Sequence, residues 1–491
     1  MKIDEIMKNK VNDQINQVSL KSNCSGYSAL ILNNELVYEK CFGFKDHESK
    51  IPHDFMCGFP FAYDDAFLLA LCLEKLCEDK LIKMSDHISK YLPDFKQGNR
   101  VTIEHITKAS DNTKDFLYGV LLLKLQEDSK YQKADIGTRI NMENEVMNRK
   151  YTYSDVLALI NDDDLRAEPG SSSYYSSTGK VLSREIIEKI TGISLEDYVN
   201  EHILRPAKIA WSLKTDEDLV SYTSTNFSGK IKVSNTHSEK RFFTLNSAEI
   251  TKFLVAFKDG HIVSKETLTR MKKIKESYGS GLFVSKDSVT IDFRTVEAGY
   301  LVAKINFLAN AIEVTSMNYM GDVIQENGSY YYSDVNIGRA LQTLYVKPTK
   351  PRLQKINHQN NFEMIFIKTA SHQAKFVPDI YHCLAYTVGN PSARNFFLKD
   401  LDVVIGYAGL TIDKKKKQFY IDMLMVDENF QGRGYGTSLV EKCCELLKKN
   451  GAERIEIGVL PENVAAYKTY LNAGFKVLEA SSYYIRLEKK L

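Results

Sequence analysis

Residues 419–436 read FYIDMLMVDENFQGRGYG. An apolar run, Phe419–Val426, passes through Asp427-Glu428-Asn429-Phe430 into the turn Gln431-Gly432-Arg433-Gly434-Tyr435-Gly436. An amphipathic stretch from Gly434 to Lys449 follows. Strand, glycine-rich turn and helix N-terminus in that order make an anion site. The glycines let the backbone come close to a ligand, and the first helical turn offers N–H groups with no partner inside the helix, where the macrodipole favours negative charge. Arg433 can add a charge-assisted contact, and Thr437 closes the candidate set. Other phosphate loops fit badly: Gly-Lys-Ser/Thr is missing, and a Gly-x-Gly-x-x-Gly fingerprint fails because position 437 is Thr.

A second pattern lies downstream. Asn463, Ala466 and Tyr470 fall at i, i+3 and i+7, one stripe of a helix, and Gly474-Phe475 ends that helix and starts a strand. The loop Gln431–Gly436 and the Asn-x-x-Ala-x-x-x-Tyr helix, in this order, resemble the GNAT acetyltransferase superfamily over roughly residues 360 to 491. The resemblance implies acetyl-CoA as cosubstrate. It implies that strand backbone at Leu424, Met425 and Val426 pairs with the pantetheine arm. Backbone N–H groups from Gly432 to Gly436 would hold the pyrophosphate. Asn463 would approach the pantetheine or acetyl end, and Tyr470 would protonate the leaving thiolate. Asn463 reads equally as a helix N-cap, and Tyr470 as a core aromatic. Acetyl transfer also needs a group to take the amine proton. Alternation puts Tyr420, Asp422 and Leu424 on one strand face, so Asp422 is the candidate base or amine-orienting charge. A solvent-facing strand carboxylate is the competing reading.

Working outward, strands are expected at Glu363–Lys368, Val403–Leu410, Arg454–Val459, Phe475–Leu478 and Tyr483–Leu487, with Lys414–Lys417 as a solvated hairpin tip. Upstream, Val346-Lys347-Pro348-Thr349-Lys350-Pro351-Arg352 and the polar run Asn357–Asn361 disfavour helix and sheet. The division is therefore 1–345, a linker 346–361, and 362–491. In the first part, strands at Tyr27–Leu32 and Glu35–Gly43 flank the turn Asn33-Asn34. Helices are expected at Ala66–Lys80, Thr152–Ile160, Ser177–Thr191 and Leu195–Ile203. Strands return at Gly281–Val284, Val289–Phe293, Tyr300–Leu308 and Ala311–Met317. Strands at both ends with helices between predict an α+β domain whose sheet is closed by both termini.

This first part resembles the serine β-lactamase and penicillin-binding-protein-like superfamily over about residues 20 to 345. The resemblance rests on Gly43-Phe44-Lys45-Asp46, on Leu73–Phe95 (LEKLCEDKLIKMSDHISKYLPDF), on Val101–Ile106, and on Pro169-Gly170 through Tyr175-Ser176-Ser177. It implies a β-lactamase/transpeptidase-like fold. The family's Ser-x-x-Lys puts hydroxyl and amine on one face at the start of a buried helix. Aligned on Phe59 and Phe67, the equivalents are Ala62 and Asp65. Tyr175 matches the second motif but reads as a core tyrosine, and Ser177 replaces its Asn. Phe293-Arg294-Thr295 lacks the glycine of the third. A literal Ser177-Thr178-Gly179-Lys180 reads as coincidence. A catalytically silent domain in a substrate-binding or scaffold role is expected.

Composition sets the remaining bounds. The 491 residues carry a formal charge of only +2, which gives no reason to expect nucleic acid or a membrane surface as partner. No secretory segment or spanning apolar run is read. The eight cysteines include no Cys-x-x-Cys pair and no zinc-ligand spacing, so no metal and a cytoplasmic, reduced protein are expected. The partner expected is a small-molecule or peptide-like amine, for a monomer or homodimer. Three functions stay open: an N-acetyltransferase, an acetyl-CoA-binding sensor without turnover, and an active serine hydrolase with an appended acetyltransferase.

Overall fold

The computed structural model describes residues 3–491 apart from 64, 175, 211–220, 226–228, 234–241, 274–277, 296–298, 323, 327–328, 359, 379, 381, 384 and 386–388. It forms two compact units. The first holds residues 12–305 and 310–334. The second holds 335–491 with the short pieces 3–11 and 306–309.

The first unit is built on a six-stranded sheet. Its strands are β1 (Ser25–Leu32), β2 (Glu35–Phe42), β3 (Phe283–Val284), β4 (Ser288–Thr295), β5 (Gly299–Asn306) and β6 (Ala311–Tyr319), in the order β2-β1-β6-β5-β4-β3. Early and late strands meet where β1 pairs antiparallel with β6, as the α+β reading expects. Asn33 and Asn34 turn the β1–β2 hairpin with φ of 52° and 69°, left-handed values that asparagine tolerates and that match the twist of the flanking strands. Every residue of β1 and β6 is buried, so this pair is covered on both faces. Helix α1 (Ala66–Glu78) starts where the Asp65 carboxylate accepts the Phe67 N–H, and nine of its residues are buried. Helix α2 (Ser177–Thr191) starts at the cap Ser176 and stops at Gly192, whose φ of 73° suits a residue without a β-carbon. The helix expected at Leu195–Ile203 is α-helical over Leu195–Val199 and continues as a wider turn, Asn200–Leu204.

The second unit opens with helix α3 (Ser333–Tyr345), of which residues 335 onward belong to it. Its seven strands are β7 (Arg352–Lys355), β8 (Ala393–Asp400), β9 (Val403–Asp413), β10 (Gln418–Val426), β11 (Arg454–Val459), β12 (Lys476–Ala480) and β13 (Ile485–Lys490), in the order β7-β8-β9-β10-β11-β13-β12. Helix α4 (Tyr435–Lys449) crosses between β10 and β11, and α5 (Val464–Asn472) follows β11. One core cluster joins Ile367, Ile380, Cys383, Phe397, Val404, Tyr407 and Met425.

The expected linker 346–361 is not one. Arg352–Lys355 is the edge strand β7, paired antiparallel with β8. Thr349 is fastened to the buried Asp400 through its N–H and its hydroxyl, both at 2.9 Å. Pro348 and Pro351 are tolerated because they precede an edge strand, where a missing N–H costs no ladder bond. The expected strand Glu363–Lys368 is a short 3-10 turn, Asn361–Phe366. There the buried Glu363 carboxylate lies 2.5 Å from the buried ammonium of Lys399, which also lies 3.5 Å from Asp402. A buried charge needs such partners, and that pairing outweighs the local strand preference.

Candidate functional site

Strands β10 and β11 run parallel but touch briefly. They pair only at Tyr420↔Glu456 and Ile421↔Ile457. Beyond Ile421, β10 keeps its antiparallel partner β9 as far as Gly406↔Val426. The β11-facing edge of residues 422–426 is thus left without a strand partner among the described residues. The register of β9 against β10 slips at the same place: Leu410 faces Ile421 and Gly409 faces Met423, so Asp422 is the extra residue of a β-bulge. Bulges re-aim a side chain and end pairing. Here one bulge does both, at the mouth of a splay.

Asp422 is exposed on β10, as the competing reading of a solvent-facing carboxylate has it, and it accepts a hydrogen bond from the Thr411 hydroxyl at 2.8 Å. Desolvation pushes its carboxyl up to about 6, against the lowering effect of that bond. Tyr470, on α5, is 8% exposed, and its ring lies 6.3 Å from that of Phe475. Burial raises its hydroxyl above the ordinary tyrosine range, with Cys443 and Tyr484 as its charged-state neighbours. Tyr484 in turn has its pKa raised, first by desolvation and then by Asp422 and Glu456, against the lowering effect of Arg486. The Tyr484 hydroxyl would lie 1.4 Å from a β-carbon on Gly458, the first β11 residue past the last pair with β10. Tyr484 thus rests on β11 at the splay, within electrostatic reach of Asp422 on one side and of Tyr470 on the other. Tyr484 was not found by the sequence reading. Its only signal was a tyrosine in a strand near the C-terminus, and what brings it to Gly458 is the antiparallel pairing of β11 with β13.

The glycine turn lies just beyond. Gly432 and Gly434 have φ of 70° and 86°, and a β-carbon on either would meet nothing within 4 Å. Their backbone thus faces open space in a conformation L side chains disfavour. At Gly436 a β-carbon would meet Thr469 of α5 at 3.7 Å, an ordinary contact, so packing of α4 on α5 does not require glycine there. The N–H groups of Tyr435, Gly436 and Thr437 precede the first helical bond, from Ser438 N–H to Gly434 O. An anion would fit in front of this row.

Several expected site residues serve the fold as well. Met425 packs in the core cluster, so only its backbone is left for a ligand. The same holds for Tyr435, which is 1% exposed and donates to Asp400 at 3.3 Å. The Gln431 amide donates to Gln373 Oε1 at 2.8 Å and to the Val426 carbonyl at 3.0 Å. Arg433 is turned to other acceptors, the carbonyls of Thr343 at 2.9 Å and Val346 at 3.4 Å. Asn463 caps α5, accepting the Ala466 N–H at 3.2 Å. Leu424 is half-buried on β10.

In the first unit, Ala62 ends the short strand Phe59–Ala62, in which Phe59, Phe61 and Ala62 are buried, and Asp65 is spent on capping α1. Neither position offers a hydroxyl or an amine. Tyr175 lies outside the described residues, as do the side chains of Arg294 and Thr295. Phe293 is buried against Phe61 and Phe67. Ser177 opens α2 with its N–H bonded to Asp115 at 2.8 Å. Lys180 lines a cavity of only about 30 Å³ with Ala66, Ser176 and Tyr278. A far larger one, about 670 Å³, lies along a different stripe of α2, walled by Tyr63, Tyr151, Tyr153, Arg184, Glu196 and Asn200. No trio of His, Cys, Asp or Glu placed to hold a metal occurs among the described residues. None of their helices is long and apolar enough to cross a membrane.

Two family models match separate stretches of the chain. Residues 359–475 match the model of the acetyltransferase (GNAT) family, and residues 21–225 that of the beta-lactamase family. Among curated proteins, Protein flp of Staphylococcus aureus (strain MW2) is 26% identical over 190 residues, 38% of this chain and 34% of that protein. The putative penicillin-binding protein PbpX of Bacillus subtilis (strain 168) is 24% identical over 196 residues, 40% of this chain and 43% of that protein. The chain therefore spans about a third to two fifths of the length of these relatives. Among solved structures, a penicillin binding protein from Bacillus halodurans superposes with a TM-score of 0.52 at 13% identity, covering 67% of this chain and all of that one. An octameric penicillin-binding protein homologue from Pyrococcus abyssi gives 0.53 at 16%, covering 86% and 96%. At these identities the likeness is one of fold.

Proposed function

From a chain that joins a β-lactamase-like domain to a GNAT acetyltransferase domain, we propose an N-acetyltransferase that moves an acetyl group from acetyl-CoA to a primary amine. The observation that carries this reading is the splay of β10 from β11 at the Asp422 bulge, directly ahead of the open glycine turn. Acetyl-CoA supplies an activated thioester. The free edge of Leu424–Val426 aligns its pantetheine arm, and the N–H row through Thr437 meets its pyrophosphate. Asp422 takes the proton from the amine as nitrogen attacks the carbonyl carbon. The carbon–sulfur bond breaks, and Tyr470 gives its proton to the departing sulfur. Asn463 steadies the arm from the start of α5.

The β-lactamase-like domain serves substrate binding or scaffolding without hydrolysis, and its cavity of about 670 Å³ is large enough for a small amine or peptide-like ligand. Free, mostly buried cysteines support a reducing, cytoplasmic setting. A second reading, acetyl-CoA binding without turnover, draws on the burial of Tyr470.

Thiol release from acetyl-CoA across a panel of amines tests the proposal. CoA binding by calorimetry with no release for any amine would favour the sensor. Labelling of residues 20–345 by a fluorophosphonate probe would instead support an active hydrolase.

A further inference from the structure

The basic side chain of the glycine turn is committed elsewhere. Arg433 Nη1 donates to the carbonyls of Thr343 and Val346, at 2.9 and 3.4 Å. These close the C-terminal end of α3, where a helix leaves carbonyls without partners and its dipole favours a cation. One turn earlier on α3, Arg339 reaches back to the strand that leads into the turn. It is 3% exposed, and its Nη2 lies 3.0 Å from Asp427 Oδ1. Its Nη1 donates to the Val404 carbonyl at 2.7 Å and to Gln342 at 2.9 Å. The two guanidinium groups lie 4.6 and 5.6 Å from the ring centre of Phe430, which sits between Asp427 and Arg433 in sequence. Asp427 also accepts the N–H groups of Asn429 and Lys368, and the Lys368 ammonium donates to Asn336 of α3 at 2.8 Å. Residues 427–433 are thus held at Arg339 and Thr343 of one helix, and indirectly, through Lys368, at Asn336; the matched acetyltransferase segment, 359–475, does not contain that helix.

We propose that helix α3 is part of the cofactor-anchoring machinery, with Arg339 and Arg433 as positioning residues that hold the turn 427–433 in its open form, and that Arg433 does not contact phosphate. The charge of a bound pyrophosphate is then met by backbone N–H groups alone. This rests on the reading of the turn as a CoA site, but the tie to α3 can be measured without CoA.

The experiment uses the full chain and the variants Arg433→Gln, Arg433→Lys and Arg339→Met. Hydrogen exchange of residues 427–437 is followed in the free protein, and CoA affinity is measured by calorimetry at two salt concentrations. Arg433→Gln and Arg339→Met are expected to speed exchange across the turn, with Lys at 433 restoring part of the protection. Each should weaken CoA about tenfold or more while leaving the salt dependence of binding as in the parent, because no cation at the phosphate has been removed. A flatter salt dependence for Arg433→Gln, with exchange unchanged and Arg339→Met binding normally, would overturn the proposal and make Arg433 a phosphate ligand. If the parent chain binds no CoA, the acetyltransferase reading fails, and exchange alone decides the tie: unchanged exchange in both variants overturns it.

Discussion

The hydroxyl of Tyr484 lies where a β-carbon on Gly458 would be, 1.4 Å from that position. Glycine at 458 is what allows the ring to rest on β11 at the point where β10 departs. Tyr484 is 50% exposed, so a methyl group at 458 would swing the ring outward rather than strain the core. Gly458→Ala is expected to change stability by less than about 1 kcal/mol and to lower kcat/KM about tenfold. Tyr484→Ala should do the same, and the double variant should lose little more than either alone. Additive losses in steady-state kinetics would separate the two residues.

Asp422 should govern the acid side of activity. Its carboxyl is pushed up to about 6 by desolvation, and a base works only when ionised. kcat/KM should rise with pH through about 6 and then level. Asp422→Asn should remove that limb and cost about 10²–10⁴-fold. Stability runs the other way: a raised folded pKa means that ionising Asp422 costs stability as pH rises through 6. An unchanged limb in the variant would reject the base role.

Tyr470→Phe separates chemistry from packing. The hydroxyl makes no hydrogen bond among the described residues, and the ring is buried beside Phe475. Removing the oxygen should leave Tm within about 2 °C and lower kcat about a hundredfold with KM little changed. Equal kcat in both proteins would make Tyr470 a core residue only.

Gly434→Ala tests the turn as an anion cradle. At a φ of 86° a side chain costs about 1–2 kcal/mol, and its β-carbon would enter the open space in front of the backbone. CoA affinity by calorimetry should fall at least about tenfold. Full affinity would place the cofactor elsewhere.

Lys399→Met would remove the cation shared by the buried carboxylates of Glu363 and Asp402, with Asp402 keeping Arg352 at 3.5 Å. Removing one partner from a buried ionic cluster costs about 3–5 kcal/mol. Denaturant unfolding of the second unit should show that loss, and a change below 1 kcal/mol would mean the cluster contributes little.

Local chemistry was enough to read much of this protein. Glycine spacing at 432 and 434, the Asn463–Tyr470 stripe and the apolar runs of β9, β10 and β11 follow from backbone sterics and periodicity, which act over a few residues. The tertiary structure decided what depends on distant partners. Residues 346–361 look like a linker until β8 offers Arg352–Lys355 an edge to pair with and Asp400 takes Thr349. Glu363 forms a turn because Lys399 is buried beneath it. Arg433 reads as a solvent-facing cation of the turn until the end of α3 presents it with carbonyls. Tyr484 joins the site only because β13 returns beside β11. Periodicity along a chain carries no information about which buried charge or strand edge will lie alongside, and that is set by packing between segments far apart in sequence.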